Sequence, residues 1–293
     1  MAIGDAARRA LRSVERDGRD RWRRRTIRRG TDVTDRAAVA SCLVLAPHPD
    51  DETIGCGATI ARKRAASTPV RVMVAADGRS SHRSAVIAPD ELARRRSHEV
   101  VAACAALGVA EADVVQLGFR DDSLAGHQDE LAGEIASHLD DMVPDEVLVP
   151  SGRDWHPDHR ALRRALDLAL HGRGRVPRVL EYPVWFWVHG PWDADPGGPW
   201  ASLHPRSFLR GLIDRRRWPP AEIVATTGFL GTKHRALRAH ESQVTNLTGE
   251  PDWAVLDEEF LAAFLMPYEV AFPATGAGSA IDPHPATPEA PAG

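Results

Sequence analysis

The sequence has 293 residues, 43% of them apolar and 27% charged, which is the composition of a globular protein long enough to bury a full core. Its 37 Lys and Arg residues are outnumbered by 41 Asp and Glu residues, and the net charge of −4 argues against a dedicated nucleic-acid binder. No apolar run approaches the roughly 18 residues of a transmembrane helix. The N-terminus lacks the apolar stretch of a secretory signal, and the three cysteines have neither disulfide nor metal spacing, so we expect a cytoplasmic protein.

The two ends of the chain differ from its middle in composition. Residues 1–35 are rich in arginine, which predicts a charged helix followed by a loose linker. This segment could contact an anionic surface, but the acidic balance of the remaining chain favours a solvated helix lying across the domain. Residues 273–293 are rich in Pro, Ala and Gly and predict a disordered tail. A single domain is therefore expected over residues 36–272, with an extension at each end.

Short apolar runs alternate with helical patterns along this domain. In chain order, strands are predicted at 42–46, 70–76, 113–117, 146–150 and 179–188. Helices are predicted between them at 53–66, 89–107, 129–139 and 158–170. This order predicts an α/β fold with a Rossmann-like, mostly parallel sheet and helices on both faces. In such sheets, ligands bind beyond the carboxyl ends of the strands.

Two motifs rich in histidine and aspartate follow directly after predicted strands. Residues 46–52 read Ala-Pro-His-Pro-Asp-Asp-Glu, and residues 151–159 read Ser-Gly-Arg-Asp-Trp-His-Pro-Asp-His. Each motif taken alone is better explained as a capped turn at the start of a helix than as a metal site. Because parallel strands end on the same side of a sheet, the two turns together can face one cavity.

The spacing within these motifs suits a catalytic metal. His48 and Asp51 are one helical turn apart, and His159 from the second turn can complete the three His and carboxylate ligands that are common for catalytic Zn²⁺. Asp50 cannot point the same way as Asp51, which leaves it free to act as a general base. His156 lies one turn before His159 and could face the same cavity.

A protonated His156 would stabilise an oxyanion there. The N-terminus of a helix disfavours an imidazolium, so His156 would need a carboxylate partner, and Asp158 is the nearest one.

Both motifs resemble those of a known family. The stretch LAPHPDDETIGCGATIAR resembles the signature of the PIG-L/LmbE-like zinc-dependent N-acetylglucosamine deacetylases, and GRDWHPDHRAL resembles the second metal motif of that family. The resemblance runs from about Cys42 to at least Leu170. It implies one Zn²⁺ per chain, or Fe²⁺ in the same site, with these roles: His48, Asp51 and His159 as metal ligands, Asp50 as general base, His156 as the group that steadies the tetrahedral intermediate, and Asp158 as the carboxylate that tunes it.

The resemblance implies a hydrolase that removes the acetyl group from an N-acetylated amino sugar. The expected partner is a small-molecule or glycoside substrate bearing N-acetylglucosamine, and a homo-oligomer is compatible with the sequence. The alternative is a carbohydrate-binding protein that keeps the fold without catalysis.

Five further residues are candidates for contacting the substrate: Asp77, Arg96, Trp185, Trp187 and His240. The two tryptophans belong to an aromatic stretch at 182–200 that could form a wall of a glycoside pocket, or could equally be an edge strand packed on the core. A turn is an equally good explanation for Asp77. An ion pair with Glu99, one helical turn away, is the favoured interpretation of Arg96.

Overall fold

The computed structural model describes residues 5–189 and 220–274, with the side chains of residues 5–15 left undescribed. Residues 190–200 of the aromatic stretch and residues 275–293 of the predicted tail lie outside the described residues. Within the described ranges the strands are β1 (Thr31–Asp32), β2 (Cys42–Ala46), β3 (Val70–Ala76), β4 (Val114–Phe119), β5 (Glu146–Pro150), β6 (Arg178–Tyr182), β7 (Glu222–Ala225) and β8 (Tyr268–Pro273). They form one eight-stranded sheet in the order β1-β7-β8-β6-β5-β2-β3-β4.

Helices cover both faces of this sheet. The helices of the described ranges are α1 (Asp5–Arg29), α2 (Thr34–Val39), α3 (Asp51–Ala65), α4 (Pro89–Ala106), α5 (Gln128–Met142), α6 (Pro157–Leu170), α7 (Trp185–His189), α8 (Leu230–Ala239), α9 (Glu241–Val244) and α10 (Glu258–Ala262). One buried apolar cluster joins the sheet to α3, α4 and α8, and a second joins it to α5 and α6. No helix in the described part of the chain is both long and apolar enough to cross a membrane.

The sheet is parallel from β6 through β5, β2 and β3 to β4, and β8 runs antiparallel to both of its neighbours, β6 and β7. All five residues of β2 are fully buried, because helices cover both of its faces. An unbroken apolar run is typical of such a strand. The prediction of an α/β fold with a mostly parallel sheet and helices on both faces is confirmed.

The prediction of one strand over residues 179–188 is wrong. Strand β6 ends at Tyr182, and α7 begins at Trp185, after Pro183. Aromatic and β-branched residues favour a strand locally, but the Trp185 amide donates a hydrogen bond to Asp154 instead of joining a strand ladder. The edge-strand explanation for the tryptophans is also wrong, since β6 lies inside the sheet.

The loose linker predicted after the first helix is replaced by ordered structure. Helix α1 is followed by β1, which pairs in parallel with β7, and then by α2. Trp22 of α1 is only 5% exposed and packs against Trp187 at 4.9 Å between ring centroids. Arg23 donates a hydrogen bond of 2.8 Å to the Trp187 carbonyl. The C-terminal half of α1 therefore packs on the domain through α7.

A buried ion pair supports α3, the helix that carries the first motif. Backbone angles depart from helical values at Cys56, within this helix. The Glu269 carboxylate accepts hydrogen bonds from the amides of Ala58 and Thr59, at 2.8 and 2.6 Å. The charge of Glu269 is balanced by Lys233, which is 1% exposed and lies 2.7 Å away. The helix that follows the first motif therefore has an irregular turn, and the free amides of this turn are hydrogen-bonded by a carboxylate of β8.

Candidate active site

The two motifs converge at the carboxyl ends of neighbouring strands β2 and β5. His48 Nδ1 lies 3.2 Å from Asp51 Oδ2, and His159 Nε2 lies 3.3 Å from the same oxygen. Asp51 is 3% exposed and His159 is fully buried. The structure therefore brings together the three side chains that the sequence suggests as metal ligands.

These distances fit a divalent cation. Donor atoms at about 2.0–2.1 Å from a tetrahedral Zn²⁺ are about 3.3–3.4 Å apart, which matches both contacts of Asp51 Oδ2. Both ring nitrogens of His159 are buried and have no hydrogen bond of standard geometry to any described residue, and Nε2 is the one that faces Asp51 and is placed to bind an ion. Nitrogen atoms of His48, His156 and His159 lie within 4.8 Å of one another, which also places His156 within reach.

Asp158 contacts a different histidine from the one that the sequence suggests. Its carboxylate lies 3.2 Å from His48 Nε2 and accepts hydrogen bonds from the backbone amides of Asp122 and Leu124. Only the backbone amide of Asp158 bonds to His156. The Asp158 carboxylate therefore orients His48, as carboxylates beside metal-binding histidines commonly do. Its negative charge also acts on His156, whose pKa it raises against the larger effect of burial.

Asp154 orients the ring of His159, as Asp158 orients the ring of His48. The sequence analysis did not select Asp154. Its side chain is buried, with Oδ2 at 3.2 Å from His159 Nδ1 and at 3.0 Å from the Trp185 amide. The signal was available, because Asp154 lies within the second motif directly after β5. A carboxylate so placed fixes the ring and leaves Nε2 facing Asp51.

His156 forms the start of α6 and is held as a neutral ring. Its Nδ1 accepts a hydrogen bond from the Asp158 amide, so the ring proton belongs on Nε2. Burial, and then the neighbouring histidines, lower the pKa of His156 to about 3. Burial favours the neutral imidazole, and a neutral ring of this tautomer donates through Nε2.

Asp50 lies beside the ligand cluster but is held by Arg96. It precedes α3 with a φ of 150°, a strained value for a residue other than glycine. Arg96 is 3% exposed and donates to Asp50 Oδ2 at 3.1 Å and to the Pro49 carbonyl at 2.6 Å. Burial raises the pKa of Asp50 to about 6, and Arg96 opposes that rise. The pairing expected between Arg96 and Glu99 is wrong, because Glu99 instead binds Ser242.

A cavity of about 450 Å³ opens beside this cluster. Of the five residues suggested for substrate contact, Arg96 and Trp185 line it. The other three point elsewhere: Asp77 pairs with Arg79, Trp187 is 3% exposed in the core, and His240 is 1% exposed beside Glu52. The lining also contains residues that the sequence reasoning did not select, among them Ser80, His82, Asp122, Trp155, Leu256 and Phe260.

Comparison with known proteins finds relatives over most of the chain. The PIG-L family model, described as GlcNAc-PI de-N-acetylase, matches residues 43–170. The 1D-myo-inositol 2-acetamido-2-deoxy-alpha-D-glucopyranoside deacetylase of Mycobacterium sp. (strain KMS) is 34% identical over 71% of this chain and 75% of its own length. A second deacetylase with this name, deacetylase 2 of Catenulispora acidiphila, is 33% identical over 70% of this chain and 80% of its own length. A probable N-acetyl-alpha-D-glucosaminyl L-malate deacetylase 2 of Bacillus subtilis is 31% identical over 46% and 63%.

Solved structures share the fold at lower identity. The N,N'-diacetylchitobiose deacetylase from Pyrococcus horikoshii has a TM-score of 0.53 at 19% identity, covering 84% of this chain and 83% of its own. A deacetylase of the teicoplanin biosynthetic pathway has a TM-score of 0.57 at 21% identity, covering 80% and 97%. A 4-carboxy-2-hydroxymuconate hydratase from Pseudomonas putida has a TM-score of 0.50 at 16% identity, covering 77% of this chain and 83% of its own. The fold thus also carries another reaction, so function has to be argued from the site.

Proposed function

The chain belongs to the PIG-L family, and from that premise we propose that it hydrolyses the acetamide of an N-acetylglucosaminide in a metal-dependent reaction. The observation that carries the proposal is the approach of His48 and His159 to one oxygen of Asp51, beside the Asp50 carboxylate and an open cavity. The names of the relatives describe N-acetylglucosamine conjugates in which the group attached to the sugar differs: malate in one and inositol in the other. They therefore support N-acetylglucosamine as the sugar, whereas the identity of the attached group, the aglycone, has to be inferred from the cavity.

We assign the metal to His48, Asp51 and His159, with one Zn²⁺ per chain, or Fe²⁺ in the same place. Two nitrogens and one carboxylate are a donor set that both ions accept. Such an ion supplies Lewis acidity, which polarises a carbonyl and lowers the pKa of water to about 7. Asp158 and Asp154 hold the two histidines in the orientation that this binding needs.

Asp50 is the proton carrier of the proposed reaction. It takes a proton from the water that attacks the acetyl carbon, and it returns that proton to the departing sugar nitrogen when the carbon–nitrogen bond breaks. The products are acetate and the free amine. Arg96 keeps the Asp50 carboxylate in place and favours its ionised form before the reaction begins.

His156 is the electrostatic partner of the reacting carbonyl. Since Nδ1 is occupied by the Asp158 amide, the Nε2 proton is the one available to donate to the oxygen as its negative charge grows. His156 lines the cavity and packs edge-on against His48, at 4.7 Å between centroids.

Acetate release from N-acetylglucosaminides, with and without a chelator, tests the proposal. We expect Asp50→Asn to keep its metal and to lose about 10²- to 10⁴-fold in kcat, the usual contribution of a general base. Asp252→Asn, which alters an exposed carboxylate, is the control and should behave as wild type. A wild-type protein that binds the sugars and releases no acetate when metal is present would instead be the non-catalytic carbohydrate binder.

A further inference from the structure

A row of aromatic rings leads away from His156 along one side of the cavity. Trp155 lies 5.6 Å from His156 between ring centroids, Trp185 lies 5.4 Å from Trp155, and Phe260 lies 5.5 Å from Trp185. All four residues line the cavity. Their tilted and edge-on contacts are the favoured arrangements of packed aromatic rings. The row therefore forms a continuous apolar wall that begins at the reacting group.

Three separate elements place these rings on the same side. Trp155 belongs to the turn after β5, and Trp185 begins α7, where its amide is held by Asp154. Phe260 lies in α10, whose first turn is capped by the Asp257 carboxylate at 2.7 Å from the Phe260 amide. Aliphatic side chains of the lining extend the apolar surface: Ile54, Val184, Val255 and Leu256.

One polar atom in this wall has no partner in the described part of the chain. Trp155 Nε1 is buried and makes no hydrogen bond to residues 5–189 or 220–274. A buried N–H is more stable when it has an acceptor, so a ligand oxygen that reached this atom would be favourable.

The charges that line the cavity are mostly negative. Five carboxylates and one guanidinium lie among the described lining residues: Asp50, Asp51, Asp121, Asp122, Asp257 and Arg96. Arg96 is already engaged by Asp50. A divalent cation would offset two of the carboxylates, and negative charge would still exceed positive charge. Asp122 and Asp257 are exposed and so meet an incoming ligand first.

On the basis of the proposed function, we propose that the substrate is an N-acetylglucosaminide with an uncharged, aromatic or otherwise apolar aglycone. The aglycone lies along Trp155, Trp185 and Phe260, where burial of apolar surface and ring stacking stabilise it. An anionic aglycone meets carboxylates and no free cation among the described lining residues, and is therefore disfavoured.

Three N-acetylglucosaminides that differ only in the aglycone test this inference: phenyl, inositol and malyl. With the full-length, metal-loaded protein, we expect kcat/KM for acetate release to be highest for the phenyl glycoside and lowest for the malyl glycoside, by about tenfold or more between these two. Equal or better turnover of the malyl or inositol glycoside overturns the inference and leaves the proposed function standing. Absence of acetate from all three overturns the proposed function itself.

Substitutions at two positions separate the contribution of the aromatic wall to substrate preference from that of the negative charges. Trp185→Leu should lower the ratio of kcat/KM for the phenyl glycoside to kcat/KM for the inositol glycoside about fivefold to tenfold, whereas Trp185→Phe should restore this ratio. Asp122→Asn should raise kcat/KM for the malyl glycoside about threefold, the effect of one partly solvated charge. Asparagine tolerates the φ of 61° at this position. Equal effects of these variants on all three substrates would contradict the inference.

Discussion

Replacing Asp154 by asparagine tests how the second motif holds its histidine. The Asp154 carboxylate lies 3.2 Å from His159 Nδ1 and accepts the Trp185 amide at 3.0 Å, and the residue is 1% exposed. Asparagine keeps the volume and one acceptor oxygen but loses the negative charge. The contact to His159 then becomes a neutral hydrogen bond, which is about half as strong as a charge-assisted one.

The expected cost is a loss of about 10- to 100-fold in metal affinity, the range found for carboxylates that orient metal-binding histidines. This corresponds to about 1.4–2.7 kcal/mol. Competition between the metal-free protein and a chelator of known affinity measures it directly, without any assay of turnover.

The matched control is Asp140→Asn, which removes a carboxylate whose side chain is 71% exposed and paired with Arg173. A surface pair of this kind contributes little because solvent screens it, and this pair lies outside both motifs, so metal affinity should not change. If Asp154→Asn bound zinc as tightly as the control, then Asp154 would not orient the ligand and the reasoning would be refuted.

Three further substitutions probe the cavity and its support. His156→Gln should lower kcat about 10²- to 10³-fold with metal content unchanged; loss of metal in elemental analysis would make His156 a ligand instead. Gly78→Ala should destabilise the protein by about 1–3 kcal/mol and reduce activity, because a Cβ there would lie 2.6 Å from Arg96 Cδ at a φ of +74°; urea unfolding at the wild-type midpoint would contradict this. Lys233→Met should cost about 3–5 kcal/mol by leaving Glu269 buried and unpaired, and adding Glu269→Gln should recover part of the unfolding free energy; no recovery would show that charge is not the cause.

The inner strands could be predicted from local pattern alone. Strands β2, β3 and β5 have the bounds that their apolar runs indicate, because strands buried on both faces have nearly continuous apolar sequences, which Arg71 interrupts in β3 and Glu146 begins in β5. The outer part of the sheet could not be predicted in this way. Strand β1 has only two residues, and β8 follows the region around α10 before it enters the sheet antiparallel to β6. Such pairings depend on distant segments and leave little mark on the local sequence.

Helix α7 shows where local preference fails. Its sequence, Trp-Phe-Trp-Val-His, has the side chains of a strand, and the pattern predicts one. The outcome depends on two distant partners: Asp154 accepts the first amide of the helix, and Arg23 donates to the Trp187 carbonyl near its end. The same helix then turns Trp185 toward the cavity and Trp187 into the core, so the two tryptophans that a strand would place on one face are separated.

The order of strands and turns along the chain was enough to select His48, Asp51 and His159 as one group, because side chains that directly follow parallel strands must gather at one edge of the sheet. The partners of those side chains were decided by tertiary packing. Arg96 reaches Asp50 from α4, Asp158 contacts His48, and Phe260 completes a wall that starts at Trp155. These contacts join segments far apart in sequence, and their distances depend on how the helices pack on the sheet, which no local pattern encodes.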